Sequence, residues 1–180
     1  MSSYHIEAAR ERFRPTQVRL LFLAEAPPAD PRRFFYYERV TTGDALFLEL
    51  MRQLYREAHD LPTPVLRERK FVYLERFRAY GHFLADARPD PMPPKASPAH
   101  KMRLLGESLP NLVSRLQASV LPATRLILIS STVFAVCYHP LRQAGFNVLN
   151  TGMIDFPESG RQAHFRRKLG DLLLRHKLVS

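Results

Sequence analysis

The chain has 180 residues, of which 46% are hydrophobic and 24% are charged, and this composition predicts one globular domain and excludes a disordered chain. The lone cysteine, Cys137, excludes an internal disulfide framework and a multi-cysteine zinc or iron–sulfur site, and the sequence lacks the apolar run of about 18 residues that a membrane span needs. We therefore expect a protein of the reducing cytoplasm that acts without membrane contact, and we expect a monomer. A net charge of +10 favours a polyanionic partner.

Hydrophobic periodicity predicts six helical stretches and four strands along the chain. An unbroken apolar run over residues 18–24, closed by Pro27 and Pro28, is typical of a strand covered on both faces. In chain order the predicted elements are helix 4–13, strand 18–24, helix 44–58, helix 65–80, strand 82–87, a proline-rich loop 88–98, helix 99–120, strand 126–129, a helix that ends near 143, strand 146–149 and helix 160–177.

Several residues predict where these helices begin and end. Thr42 or Asp44 is expected to cap the second helix, and Ser130–Ser131 the helix after the third strand. Gly81 is a usual residue at the end of a helix. Pro110 is expected to break the helix that contains it, because proline lacks the backbone N–H that the helix uses.

Strands that alternate with helical stretches predict parallel pairing, because right-handed crossovers place helices on both faces of the sheet. The expected fold is a three-layer α/β/α domain with a central four-stranded parallel sheet. Ligands of such sheets bind beyond the carboxyl ends of the strands. The side chains just after each strand are therefore the first candidates for a functional site.

Carboxylates lie at the ends of the first and second predicted strands. Glu25 directly follows the first strand, and a partly desolvated carboxylate in a turn held open by prolines suits a general base or a water-positioning group. The alternative is that Glu25 hydrogen-bonds the amides of its own loop. Asp86 ends the second strand, and because Arg88 follows so closely an ion pair between these two residues is favoured.

Four consecutive aromatic residues, 34–37, follow the first strand-end loop. Successive side chains point to different sides of the backbone, so one ring is expected to form a stacking platform for a planar base. Core packing is the alternative, and different rings can take each role.

Residues 156–162 lead into the last helix and combine glycine, a hydroxyl group and free backbone amides. Unpaired N–H groups and the helix dipole favour an anion at such a position. The segment therefore predicts a phosphate-binding site that includes Ser159, Gly160 and Arg161.

The excess positive charge lies in the C-terminal half, where residues 91–180 carry 12 basic and four acidic side chains, against 15 and 13 in residues 1–90. Arginine supplies 22 of the 27 basic side chains, and its planar fork pairs well with phosphate oxygens. This pattern predicts a polyanionic partner, with a merely solvated arginine-rich surface as the alternative. The seven histidines show no metal-ligand spacing, so no metal is expected.

Segments beside the first strand end carry a family pattern, LFLAEAPP at 21–28 and RFFYY at 33–37. The first resembles the GEAPG motif of the family 4 enzymes of the uracil-DNA glycosylase superfamily, with Ala24 and Pro28 in place of its glycines. The second falls where that family carries the phenylalanine that stacks on a flipped base, and Phe35 matches this position best.

Two later segments extend the resemblance in the correct order over residues 18–175. HFLADARPDPMPP at 82–94 is similar to TNxVKCRPP, with Asp86 at the position of the base-reading asparagine. FPESGRQAHFRRKL at 156–169 falls where the superfamily has its second motif, and it is closer to the NPSGLNR form of the mismatch-specific branch than to HPSP.

The chain departs from the superfamily pattern at positions that matter for chemistry. Family 4 enzymes hold an iron–sulfur cluster with four cysteines, and this chain has one cysteine. Phe156 stands where several families have the histidine that stabilises the departing base, and Ala26 stands at the catalytic aspartate of the best-known branch. Glu25 matches the glutamate of GEAPG, so Glu25 and Asp86 are the two carboxylates that the resemblance leaves as candidates for catalysis.

The resemblance implies a DNA base-excision glycosylase that flips a damaged or deaminated base and hydrolyses its N-glycosidic bond without a cofactor. An ionised aspartate only accepts hydrogen bonds, so Asp86 predicts a base with a donor edge, such as an exocyclic amine, rather than uracil alone. The implied site residues are Glu25 and Asp86 for catalysis, Ala26, Pro27, Phe35 and Asp86 for the base, and Ser159, Gly160 and Arg161 for the DNA backbone.

Two other functions stay open at this point. A catalytically inactive member of the same superfamily would bind nucleic acid through the basic C-terminal half. A Rossmann-like enzyme or binder for a free nucleotide has little support, since neither GxGxxG nor GxxxxGK[ST] occurs in the sequence.

Overall fold

A computed structural model describes residues 3–158 and 160–178 of the chain. Within that part four strands form one sheet: β1 (Leu20–Ala24), β2 (His82–Asp86), β3 (Arg125–Leu128) and β4 (Asn147–Val148). All neighbouring strands pair in parallel, in the spatial order β2–β1–β3–β4. The predicted four-stranded parallel sheet is therefore confirmed.

Helices flank this sheet, which confirms the expected α/β/α class. The β1 side chains are all buried, as an apolar run covered on both faces requires. In the described residues the helices are α1 (Ser3–Arg12), α2 (Ala45–Leu54), α3 (Thr63–Glu68), α4 (Lys70–Ala79), α5 (Pro98–Ser119), α6 (Ser131–Gln143) and α7 (Gln162–Arg175).

The predicted helix over 44–58 is shorter in the structure. It ends at Leu54 because Tyr55 takes an extended backbone, with φ −126° and ψ 116°. A separate 3-10 turn follows over Arg56–Ala58. Apolar residues continue at helical spacing through this segment, but spacing alone does not indicate where the backbone leaves the helical conformation.

The prediction that Asp44 caps α2 was wrong. Its side chain makes no capping hydrogen bond and accepts instead from Arg67 Nη2 at 2.7 Å, because a bond to a guanidinium group is stronger than one to a neutral amide. The predicted helix 65–80 is also divided into α3 and α4 at Arg69, where the backbone turns to φ −92° and ψ 11°. Ser130 does cap α6, accepting from the Val133 N–H at 3.1 Å.

The prediction that Pro110 breaks its helix was wrong, because α5 continues through it. Proline removes a single backbone hydrogen bond, the one that an N–H of residue 110 would donate to the Gly106 carbonyl. Buried leucines on both sides of the proline, at 105, 112 and 116, hold the helix against the core. Tertiary packing therefore outweighs the local cost of the proline.

Side chains take over hydrogen bonding at both edges of the sheet. Tyr36 Oη accepts from the Leu84 N–H at 2.7 Å and donates to the Leu84 carbonyl at 3.0 Å, which covers the outer edge of β2. β4 is shorter than the predicted strand 146–149, because the Asn150 amide takes over the pairing with Leu128, at 2.9 and 3.2 Å.

A histidine is buried at the start of β2. His82 is 6% exposed, lies against the rings of Phe22 and Phe77, and its Nδ1 has no hydrogen-bond partner among the described residues. Burial, together with the positive charge of Arg125, lowers the pKa of His82 to about 4. The folded protein therefore binds a proton here only at lower pH than the unfolded chain does.

We expect His82→Leu to flatten the acid dependence of stability. Between pH 6.5 and about 4 the unfolded chain holds a proton on His82 that the folded protein rejects, so wild-type stability falls as the pH falls, by up to about 3 kcal/mol from this group. Urea unfolding at pH 7 and 4.5 measures the difference. His139→Leu, at an exposed position of α6, should keep the wild-type slope, and equal slopes for both variants would contradict the prediction.

Candidate functional site

A cavity of about 590 Å³ opens beyond the carboxyl ends of β1 and β2. Parallel register brings Ala24 opposite Asp86 at that edge, and the pairing extends beyond the strands because the Arg88 N–H donates to the Glu25 carbonyl at 3.1 Å. The cavity walls that bear on function come from Ala26, Phe35, Phe47, Asp86, Lys101 and Phe156.

Phe35 both lines this cavity and packs into the core. It is 6% exposed, and its ring centroid lies 5.8 Å from that of Phe47 and 5.6 Å from that of Phe77. An edge-on contact with Phe47 and a tilted contact with Phe77 fix the ring in place, as aromatic packing favours. The stacking and core-packing alternatives for this ring are thus compatible.

Asp86 is buried at the cavity wall and pairs with an arginine that the sequence did not indicate. Arg10 Nη2 of α1 lies 2.5 Å from Asp86 Oδ2, with both side chains almost fully buried. The predicted partner, Arg88, instead donates from Nε to the Asp90 carbonyl at 3.1 Å. The Arg88 prediction was wrong, because the strand buries Asp86 while Arg88 turns along the following loop.

The charge on Asp86 is held by several groups. Burial raises the pKa of Asp86 to about 6, while Arg10 and Arg115 favour its ionised form and Glu7 opposes it. Arg115 also donates from Nη2 to the backbone carbonyls of Asp86 and Ala87, both at 3.1 Å. Near neutral pH the carboxylate is therefore an acceptor fixed in orientation.

Glu25 faces a second, smaller cavity of about 370 Å³ that adjoins the first. Its Oε2 lies 3.2 Å from Lys101 Nζ, with the two side chains 18% and 33% exposed. Ala26, Lys101, Phe156 and Glu158 line both cavities, so the Glu25–Lys101 pair lies at their junction. The carboxylate is held by a side chain rather than by loop amides, as the sequence had left open.

Lys101 was missed by sequence reasoning. It lies in the first turn of α5, after the proline-rich loop, where the Ser97 side chain caps the helix and Pro98 begins it. That Ser–Pro pair was a signal for the start of the helix. Nothing in the sequence, however, indicated that the loop returns Lys101 to the end of β1.

Two of the three residues of the predicted phosphate-binding site, Gly160 and Arg161, lie among the residues that the structure describes. Ser159 lies outside the described residues, and Gly160, with φ +82°, precedes α7. Arg161 lines the smaller cavity and donates from Nη1 to Asp155 Oδ1 at 3.1 Å, while its side chain stays 63% exposed. Lys168 Nζ also pairs with Asp155, at 2.8 Å, and these cations lower the pKa of that carboxyl.

The backbone beside the smaller cavity is strained at one residue. Ser130, at the end of β3, has φ +92° and is buried, and its N–H donates to the Ile154 carbonyl at 2.9 Å. A non-glycine residue in this region of backbone space costs about 1–3 kcal/mol. The bond to Ile154 draws the loop that carries Phe156 towards β3.

Pro27, which was predicted to contact the base, is buried and lines neither cavity, whereas Pro28 lines the larger one.

Within residues 3–158 and 160–178 no group of three or more His, Cys, Asp or Glu side chains is placed to hold a metal ion. No helix of the described chain is long and apolar enough to cross a membrane.

Comparisons with known protein families and with curated proteins find no match.

A buried lysine lies behind the cavity wall. Lys70 is fully buried at the start of α4, its Nζ has no hydrogen-bond partner among the described residues, and it lies 4.6 Å from the centroid of the Phe47 ring. Burial lowers the pKa of Lys70 to about 8, against the attraction of Asp44. The ammonium group is therefore unfavourably placed in the folded protein at neutral pH.

We expect Lys70→Met to raise the free energy of unfolding at pH 7 by about 1–3 kcal/mol, because the removal of a desolvated charge outweighs the loss of the contact with Phe47 and of the attraction of Asp44. The unfolded chain keeps this proton up to about pH 10.5, whereas the folded protein releases it near pH 8, so wild-type stability recovers as the pH rises through that window. The gain should therefore shrink at pH 10. Guanidinium unfolding at both pH values, with the exposed Lys95→Met as control, tests this, and a loss of stability at pH 7 would contradict it.

Proposed function

We propose that the protein hydrolyses the N-glycosidic bond of a damaged or deaminated DNA base that has been flipped into the larger cavity. The observation that carries this proposal is the convergence of the chain after β1 and the end of β2 on one cavity, which brings Ala26, Phe35 and Asp86 to its walls. A volume of about 590 Å³ lies within the range of small-ligand pockets. The resemblance of the strand-end motifs to the uracil-DNA glycosylase superfamily supports the same function.

Each wall of the cavity has a role in this proposal. The Phe35 and Phe156 rings supply apolar surface for a planar base, and Asp86 reads its hydrogen-bonding edge. Glu25, at the junction of the two cavities, positions the water that attacks the sugar carbon as positive charge develops there. The departing base takes the bonding electron pair and then a proton from solvent.

The hydrogen-bonding state of Asp86 narrows the class of base. Above its pKa of about 6 the carboxylate paired with Arg10 only accepts hydrogen bonds. A base with an exocyclic amine offers a donor to it, whereas O4 of uracil offers another acceptor. We therefore propose a substrate other than uracil alone.

A second candidate is a DNA-binding relative without catalysis. The observation in its favour is the ion pair between Glu25 and Lys101, which occupies the carboxylate that would position water. The presence of Phe156 at the position of the family's histidine also favours a relative without catalysis. The net charge of +10 supports DNA as partner for both candidates, and both are proposed as cytoplasmic monomers.

Oligonucleotides that carry uracil, hypoxanthine, xanthine or a mismatched base with an exocyclic amine, single- and double-stranded, separate these candidates. We expect alkali-labile breaks at a base other than uracil alone, in the presence of EDTA, and binding that weakens steeply with salt. Asp86→Asn should shift the preference towards bases with a lactam edge, while the exposed Asp90→Asn should not.

The outcomes that reject the proposal are distinct. Salt-dependent binding without any abasic site supports the inactive relative. Breaks confined to uracil reject the role given to Asp86. Thermal stabilisation by free nucleotides without oligonucleotide binding rejects both candidates.

A further inference from the structure

A lysine and a carboxylate meet where the two cavities join. Of the lysines in the described residues, Lys101 alone lines these cavities, and its Nζ lies 3.2 Å from Glu25 Oε2. Its side chain is one-third exposed, so a reactant in either cavity can reach the amine. Neither the base-reading nor the water-positioning role uses it.

The position of this pair matches a particular atom of the substrate. With a base in the larger cavity and its sugar and phosphate in the smaller one, C1′ lies at their junction, because it joins the base to the backbone. C1′ is also the carbon that becomes an aldehyde when the base has left and the sugar ring opens. A primary amine at that place forms an imine with such a carbonyl.

We infer that Lys101 is the nucleophile of an abasic-site lyase activity in the same site. This inference rests on the proposed base excision, because that reaction supplies the aldehyde. Glu25 is the general base for this amine, because a nucleophile of this kind needs a proton acceptor within hydrogen-bond reach.

The reaction balances without an oxidant or a metal. Glu25 accepts a proton from Nζ and passes it to solvent, and the neutral amine adds to C1′ with loss of the carbonyl oxygen as water. Glu25 then removes a proton from C2′, and the C3′–O bond breaks with its electron pair leaving on the phosphate. Water hydrolyses the resulting unsaturated imine and regenerates the Lys101 amine.

An ion pair that only stabilises the fold is the competing explanation. Lys101 lies in the first turn of α5, where the helix dipole repels a cation, so a purely structural lysine at this position gains little from its helix. Arginine can keep the ion pair with Glu25 but cannot form an imine. Lys101→Arg therefore separates the chemical role from the structural one.

Borohydride trapping on an oligonucleotide with a preformed natural abasic site tests the inference with the full chain. We expect a covalent protein–DNA complex whose modified peptide contains Lys101, and strand breaks without alkali when borohydride is omitted. Lys101→Arg should lose both signals while its thermal unfolding stays like that of wild type. Lys95→Met, exposed and outside the cavity walls, should keep both.

The preformed abasic site makes this test independent of base excision. Base release without trapping at Lys101 overturns the lyase inference and leaves the glycosylase proposal standing. Trapping at Lys101 without release of any base rejects the glycosylase and supports the lyase. An adduct that persists in Lys101→Arg, or spreads over other lysines, overturns the inference, and a tetrahydrofuran analogue without an aldehyde should give no adduct in any variant.

Discussion

Arg10→Ala is expected to lower the free energy of unfolding by about 3–5 kcal/mol at pH 7.5, because it leaves the Asp86 carboxylate buried without its partner. The two side chains are 6% and 4% exposed, so solvent cannot replace the guanidinium group. Urea unfolding followed by circular dichroism measures the loss. Arg103→Ala, which breaks an exposed pair with Glu107 on α5, should change stability by less than about 1 kcal/mol.

The pH dependence of this loss identifies its cause. The pKa of Asp86 is already raised in the folded protein, and without Arg10 it rises further, so the folded variant binds a proton more tightly than the unfolded chain does. Its stability therefore declines as the pH rises, and the deficit should be larger at pH 8 than at pH 5. Arg10→Met combined with Asp86→Asn removes both charges and should recover most of the loss. A deficit that is independent of pH and remains in the double variant would show that Arg10 acts through packing alone.

Glu25→Gln is expected to reduce the rate of base release by about 10²–10⁴-fold, because glutamine keeps the size of the side chain but cannot accept a proton or hold an ionised contact with the attacking water. Single-turnover cleavage of the preferred oligonucleotide, quenched with alkali, measures the rate. DNA affinity should change little. Glu107→Gln, an exposed carboxylate on α5, should react at the wild-type rate.

The interpretation of Glu25 fails if Glu25→Gln and Glu107→Gln release the base equally fast. A Glu25→Gln variant with the wild-type melting temperature but without activity excludes unfolding as the cause. The loss of its pair with Lys101 is a further reason to compare melting temperatures, since that pair is only partly exposed.

The parallel sheet could be predicted because its signals are local. Apolar runs such as residues 20–24 and the alternation of strands with helical stretches indicate buried parallel strands directly. Helix ends were less predictable: Asp44 and Pro110 follow tertiary contacts that override their usual local roles.

The candidate site shows the same division. The sequence placed Glu25 and Asp86 at strand ends, and the structure brings Phe35 and Asp86 to one cavity with Glu25 at its edge. Their partners were not predictable, since Arg10 is 76 residues from Asp86 and Lys101 is 76 residues from Glu25.

By itself the sequence determined the class of fold, the strands whose ends form the site and the excess of positive charge, because burial periodicity and charge are properties of short stretches of chain. Only the tertiary structure decided that Arg10, rather than Arg88, neutralises Asp86 and that Lys101 meets Glu25. Ion pairs form between side chains that the packing of helices on the sheet brings close together. The separation of two residues along the chain does not indicate the distance between them in the folded protein.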